Sequence, residues 1–203
     1  MKKNIILFGA GGHSYSCIDV IESLNNYKIV GLVDNKKKKN TKILNYKILG
    51  GDNNIKYYKK LSKNVLISIG QILDSQKRKK MFIELKKKGF SFPKLISPLS
   101  FVSKYSKIGE GTIIMHGVKI MAGSSIGKNC IINTNSIIEH NSSVGDFCHI
   151  STGAILNGNT VVKKNTFIGS NTTIKENLVI GENCIIGMGL SIKKNVRKRS
   201  LLK

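Results

Sequence analysis

Two apolar rhythms divide the chain. Up to about residue 92, short apolar runs alternate with helix-like spacing; beyond it, one apolar position returns every six residues. Ile5 to Phe8 is a four-residue apolar run, Gly9-Ala10-Gly11-Gly12 is a turn, and Cys17, Ile18, Val20, Ile21 and Leu24 recur at helical spacing before apolar Ile29 to Val33. This order predicts strand, glycine turn, helix and strand, a βαβ unit. Val65 to Ile69, ending at Gly70, predicts a further strand, and a basic helix with Met81, Phe82 and Leu85 on its apolar stripe follows as far as Gly89. Residues 1–92 are therefore expected to form a small parallel α/β domain and residues 93–203 a second unit.

The second unit is read from its repeat. Val102, Ile108, Ile114, Ile120, Ile126, Ile132, Ile138, Val144, Ile150, Leu156, Val162, Ile168, Ile174, Ile180, Ile186 and Ile192 are one phase, and all are aliphatic. Chance would give such an unbroken run on the order of once in a billion trials, so the period reports architecture. The position two before each is mostly small, as at Thr112, Ser124, Cys130, Ser136, Ser142, Cys148, Ala154, Thr160 and Thr166. Alternation along a strand points both phases to one side, which describes a narrow parallel β-helix with three hexads per coil. Gly109, Gly127, Gly145 and Gly181 fall at multiples of eighteen, as equivalent corners would.

Charge changes this picture little. The chain has 34 basic and 11 acidic residues, formally +23, yet only Arg78, Arg197 and Arg199 are arginine. Nucleic-acid readers lean on arginine for bidentate and stacking contacts, so solvated lysine, as at Lys36 to Lys39, is the better reading and no nucleic-acid partner is expected. Four cysteines are too few for a disulfide scaffold, and no C-x-x-C pair argues for a metal; Cys130, Cys148 and Cys184 share one coil phase and read as small core fillers. Met1 to Phe8 is too short for a signal peptide or membrane span, and a cytoplasmic protein is expected.

A hexapeptide solenoid behind a domain that opens with Phe8-Gly9-Ala10-Gly11-Gly12-His13 resembles the bacterial sugar acetyltransferases of the PglD and NeuD type. Leu32-Val33-Asp34-Asn35, Ile69-Gly70, Ile138-Glu139-His140-Asn141 and Gly145-Asp146-Phe147-Cys148-His149-Ile150-Ser151 carry the same resemblance. It implies a Rossmann-like front domain, a left-handed β-helix, acetyl-CoA as co-substrate without a metal, and a homotrimer with sites between neighbouring coils. By resemblance His140 is the general base, His149, Gly158 and Ser170 lie along the acetyl-CoA groove, and Gly11, Gly12, His13, Asp34, Asn35 and Gly70 hold a nucleotide-linked sugar. The family's Gly-x-Pro-Ala tail has no counterpart here, so the basic end from Lys193 to Arg199 either meets coenzyme phosphates or remains a solvated tail.

The residues support part of this on their own. Acetyl transfer to an amine or hydroxyl needs a base for the acceptor's proton, and imidazole suits that task near neutral pH. His140 follows inward Ile138 by two residues and is expected at an outward corner, with Glu139 beside it. The family often has a carboxylate where Asn141 stands, so either Glu139 raises the basicity of His140 or Asn141 orients its ring. His149 is expected to point outward on a flat face, and His116 to be solvated. The glycine turn is an incomplete dinucleotide fingerprint, its last position being Ser14, which argues against NAD. N-acetylation of a nucleotide-activated amino sugar for surface glycan synthesis is the leading expectation. O-acetylation of a sialic-acid-like sugar and a non-catalytic solenoid binding module are the alternatives.

Overall fold

A computed structural model describes residues 1–73 and 75–203. The front unit is the expected α/β sandwich: β1 (Lys3–Phe8), α1 (Gly12–Ser23), β2 (Tyr27–Val33), β3 (Lys42–Ile43), β4 (Tyr46–Gly50), α2 (Ile55–Leu61), β5 (Asn64–Ile67) and α3 (Gln76–Lys87). Its sheet runs β3-β4-β2-β1-β5, parallel except for the β3–β4 hairpin. β1 is central and apolar on both faces because helices cover both, and its Ile5, Ile6, Leu7 and Phe8 are buried. Helix α1 turns Cys17, Ile18, Val20 and Ile21 inward and ends where Asn25 adopts a left-handed φ of 55°.

From Leu95–Ile96 to Leu201–Leu202 the described residues form two-residue strands in three parallel sheets of six, five and seven strands. Partners are eighteen apart, as in Lys119 with Ile137 and Ile131 with His149. The aliphatic phase fills the interior, with only Val102 and Ile108 of the first coils partly exposed. Each buried isoleucine stabilises the column by roughly 1.5–3 kcal/mol.

The small inward phase has a second reason for its chemistry. Thr112 Oγ1 donates to the Gly127 carbonyl at 2.7 Å, Ser142 Oγ to Asn157 at 2.8 Å, and Cys148 Sγ to Lys163 at 3.1 Å. Each ties a coil to the next, and burial pushes the Cys130 thiol up to about 12. These cysteines are structural, not nucleophiles.

From Gly111 to Gly189 the corners turn through a left-handed residue, six apart: Gly111, Gly117, Gly123, Asn129, Asn135, Asn141, Phe147, Gly153 and onward to Gly189. Asparagine and glycine take this conformation cheaply, whereas Phe147 at φ 57° is a bulky exception. Its ring is the anchor between the two units, packed edge-on against Phe82 of α3 with centroids 5.6 Å apart. Beside it Arg78, 1% exposed, donates through Nη1 to Ile67 and Ile69 carbonyls and through Nη2 to the Asn129 carbonyl and Oδ1. Lys86 and Glu110 pair at the rim. The terminal segment is no frayed tail: Leu201–Leu202 adds a strand beside Ile185–Ile186 after a left-handed turn at Arg199.

Candidate active site

The glycine turn separates into two kinds of glycine. Gly9 is fixed by packing, since its φ is 115° and an added Cβ would stand 2.6 Å from Ile69 Cγ1. Gly11 and Gly12 have open space where a Cβ would go. Their smallness therefore serves something outside the chain's own packing, at the N-terminus of α1, where backbone N–H groups and the helix dipole favour an anion.

This turn borders a cavity of about 500 Å³ that also includes Asp34, Asn35, Lys36, Asp52, Gly70, Lys77 and Met81. Two of the expected contacts are committed within the protein. Asp34 accepts from the N–H groups of Ala10 and Lys36, both at 2.8 Å. Asn35 and Asp52 bond reciprocally: Asn35 Nδ2 donates to Asp52 Oδ2 at 2.6 Å, and the Asp52 N–H to Asn35 Oδ1 at 2.7 Å. Asp34 thus shapes the turn, and each of its oxygens keeps further acceptor capacity at the cavity wall. Lys36 was read from sequence only as part of a solvated lysine run, and Asp52 and Lys77 were not singled out, because single charged residues in a lysine-rich chain carry no local signal.

A larger cleft of about 1050 Å³ lies between the front unit and one solenoid face. Its wall shares Gly12, His13, Ile69, Gly70 and Lys77 with the first cavity, so the two lie side by side against the same residues. His149 and Ser170 line the cleft, Ser170 Oγ sharing a 2.9 Å hydrogen bond with Ser151 Oγ. His149 does leave the coil, but it is 7% exposed, not on an open face, because the segment after β5 covers it. Its Nδ1 bonds the Gln71 carbonyl, and Phe167 packs edge-on at 5.2 Å. Burial pulls His149 down to about 4, and the Gln71 carbonyl opposes this while Arg78 adds to it. Burial, then Arg78 and His149, pull His13 down to about 3. Both rings are neutral near pH 7.

His140 is exposed at a different corner and lines neither cavity. Gly158 is not beside the cleft either: it lies under the His140 ring, one coil further on. Among the described residues no hydrogen bond joins the Glu139 carboxylate to the imidazole; Asn141 Nδ2 lies 3.4 Å from His140 Nδ1, at the outer limit of a hydrogen bond. Asn141 also has a plain structural reason, as one of the left-handed corner residues. His116, expected to be solvated, is half-buried and bonded through Nδ1 to Ser97 Oγ at 2.6 Å. The described residues contain no cluster of three metal-ligating side chains, and no helix among them is long and apolar enough to cross a membrane.

The PglD N-terminal domain family matches residues 4–85, and the bacterial transferase hexapeptide family, in six repeats, matches residues 105–140 and 159–194. No curated protein sequence matches the chain significantly. Among solved structures, a variant of perosamine N-acetyltransferase from Caulobacter crescentus, in complex with CoA and GDP-perosamine, is 26% identical with a TM-score of 0.92, covering 98% of this chain and 92% of that one. The acetyltransferase domain of PglB from Neisseria gonorrhoeae, in complex with acetyl coenzyme A, is 24% identical with a TM-score of 0.90 over 99% and 96% of the two chains, a likeness of fold. WeeI from Acinetobacter baumannii shares the fold at 24% identity and a TM-score of 0.84 over 98% and 96%. With a PglD-type front domain over residues 4–85 and bacterial transferase hexapeptide repeats over residues 105–140 and 159–194, the chain is similar along its length to the hexapeptide-repeat sugar acetyltransferases of the PglD type.

Proposed function

We propose that the protein transfers the acetyl group of acetyl-CoA to the amine of a nucleotide-activated amino sugar for surface glycan synthesis. The observation that carries this reading is the shared wall at Gly12, His13 and Gly70, which joins a cavity suited to a nucleotide diphosphate with a cleft on the solenoid. Open Cβ space at Gly11 and Gly12, the N-terminus of α1, and Lys36 and Lys77 supply room and positive charge for phosphates. The similar Caulobacter crescentus enzyme binds GDP-perosamine and CoA, a nucleotide-linked amino sugar and the coenzyme.

In the reaction the sugar nitrogen attacks the thioester carbonyl carbon, forming a C–N bond. His140 takes the proton that the nitrogen sheds, the C–S bond breaks, and the proton passes to the departing thiolate to give CoA. His149 and Ser170 flank the coenzyme along the cleft, and Glu139 or Asn141 tunes His140. Because His140 and the cleft lie at different corners, the reading includes a homotrimer in which one copy's His140 faces its neighbour's cleft. Dependence on acetyl-CoA and on a nucleotide sugar fits a cytoplasmic site of action.

Incubating the protein with acetyl-CoA and UDP-, GDP-, dTDP- and CMP-linked sugars, amino and non-amino, and following free thiol, tests the reading. Thiol release with an amino sugar, and acetylation at its nitrogen by mass spectrometry, is the expected result. Release only with hydroxyl acceptors would replace it by O-acetylation, and no release with any of them would favour a binding module.

A further inference from the structure

His149 is held by a residue outside the expected set. Its Nδ1 lies 2.5 Å from the main-chain oxygen of Gln71, an atom that can only accept, so Nδ1 carries the ring proton. Gln71 is itself fixed: its side chain is 3% exposed, and Nε2 donates at 2.9 Å to the carbonyl of Phe147, two residues before His149. That bond also decides the orientation of the amide, because turning it over would set two oxygens against each other, and it leaves Oε1 without a partner. The same residue follows Gly70, in the wall shared by the two cavities.

The other ring nitrogen, Nε2, lies 3.4 Å from Asn133 Nδ2 on the cleft side. Asn133 Oδ1 accepts from the Thr134 N–H at 2.9 Å, which turns the amide nitrogen toward His149. Arg78 and Lys77 of α3, His13 of α1 and Lys203 are the residues with charged or titratable side chains that line the cleft with it. None of these side chains is a carboxylate, and the low pKa of His149 keeps its Nε2 unprotonated and able to accept a hydrogen bond.

We propose that Gln71 is a positioning residue: by tying the segment after β5 to Phe147, it holds its own main-chain oxygen on His149 Nδ1 and fixes that ring as a hydrogen-bond acceptor toward the cleft. The proposal deepens, and rests on, the reading that the coenzyme lies along the cleft. A ring locked in this tautomer receives an N–H or O–H, such as an amide of the pantetheine arm. It cannot donate to the thioester oxygen.

Nitrogen NMR of the imidazole rings in the full, unliganded chain tests the assignment, the four histidines being distinguished by single His→Gln variants. Wild-type His149 is expected as the neutral Nδ1–H tautomer at pH 7. In Gln71→Met, which keeps the volume and loses the bond to Phe147, the Nε2–H form should become the larger population. Gln71→Glu should act alike, its carboxylate being unable to donate to that carbonyl. Coenzyme Kd should rise about tenfold in both, as loss of one buried hydrogen bond implies. An Nε2–H or doubly protonated ring in the wild type, or an unchanged ring in either folded variant, would overturn the proposal. Coenzyme affinity that His149→Ala leaves intact would instead remove the coenzyme reading, while the ring spectrum still decides the role of Gln71.

Discussion

The imidazole of His140 lies across Gly158 of the next coil, so closely that a Cβ there would stand 2.6 Å from His140 Cε1 and 2.7 Å from Nε2. Real Cβ contacts do not come that near, so any side chain at 158 evicts the ring. Gly158 needs no left-handed φ, and its smallness is explained by this ring alone. The glycine acts as the platform of the histidine.

Gly158→Ala should therefore behave like a loss of His140. Turnover is expected to fall by on the order of 10², the contribution of a positioned general base, and His140→Ala should fall as far. Thermal melting should barely change, because the backbone at 158 accepts alanine. Full turnover in Gly158→Ala would show that the seated position of the ring is irrelevant to the chemistry.

The neighbour of His140 can be sorted by its two roles. With its nitrogen toward Nδ1, the Asn141 amide donates to the ring, which leaves the proton on Nε2 and that atom unable to act as base. Asn141→Asp keeps a side chain tolerant of φ 57° and replaces the donor by an acceptor, which favours the base-competent tautomer. Its turnover is expected to rise. Asn141→Gly should keep the corner, whereas Asn141→Ala should cost about 1–2 kcal/mol of stability for the left-handed turn. If Glu139 is the supporting carboxylate, Glu139→Gln lowers turnover and Asn141→Asp changes little, an outcome steady-state kinetics on these two variants would reveal.

The solenoid was legible because its signal is global: each aliphatic residue of the hexad phase repeats the same inward instruction, and a single exception would have weakened it. The corner signal was equally regular, with asparagine or glycine at 129, 135, 141, 153 and 159, but it looked like ordinary polar composition in an asparagine-rich chain. Reading it would have shown Asn141 to be a corner residue first. The site was only partly legible, since contacts such as Gln71 with His149 join residues 78 apart. Nothing local in Ile69-Gly70-Gln71 announces that its carbonyl will meet an imidazole. Burial of His149 likewise follows from docking of the front unit, which the period of the coil does not describe. The β3–β4 hairpin, with Leu44 at a left-handed φ of 50°, was also unannounced, because lysines interrupt its short apolar pattern.

Asp34→Ala should act on folding before it acts on binding. The carboxylate closes the turn by accepting the N–H groups of Ala10 and Lys36, and each bond lost to a charged acceptor is worth about 1.5–3 kcal/mol. A lowered melting temperature is expected, with acceptor KM rising as the turn loosens. A selective rise in KM at unchanged melting temperature would instead show the carboxylate to be available to the ligand.

The two buried imidazoles set an acid limit on stability. His13 is pulled down to about 3 and His149 to about 4, against 6.5 for a free side chain. Between pH 6.5 and 4 the unfolded chain therefore binds protons that the folded chain refuses, so stability is full above pH 6.5 and falls as pH falls, by at most about 1.4 kcal/mol per pH unit for each ring. Carboxylates take over below about pH 5, so the window to read is pH 6.5 to 5. Chemical denaturation there should show a declining unfolding free energy, and His13→Gln with His149→Gln should flatten it. A wild-type stability independent of pH across that window would mean that both rings are solvated.

The placement of His140 away from the cleft makes the sharpest test a mixture of two inactive proteins. His140→Ala removes the base but leaves both cavities, whereas Gly12→Val, where a Cβ meets open space, fills the nucleotide site while leaving His140 and the fold intact. If each site takes its histidine from one copy and its cleft from the next, hybrid trimers contain neighbours in which both halves are sound. Random reassembly after mild unfolding should restore about one site in four. If one copy builds the whole site, every site in the mixture carries one of the two lesions and activity stays at the level of the separate variants. Light scattering on the same samples checks the oligomer directly: a monomer with full activity in the wild type would end the shared-site reading, and a trimer without complementation would keep the assembly but return the site to a single chain.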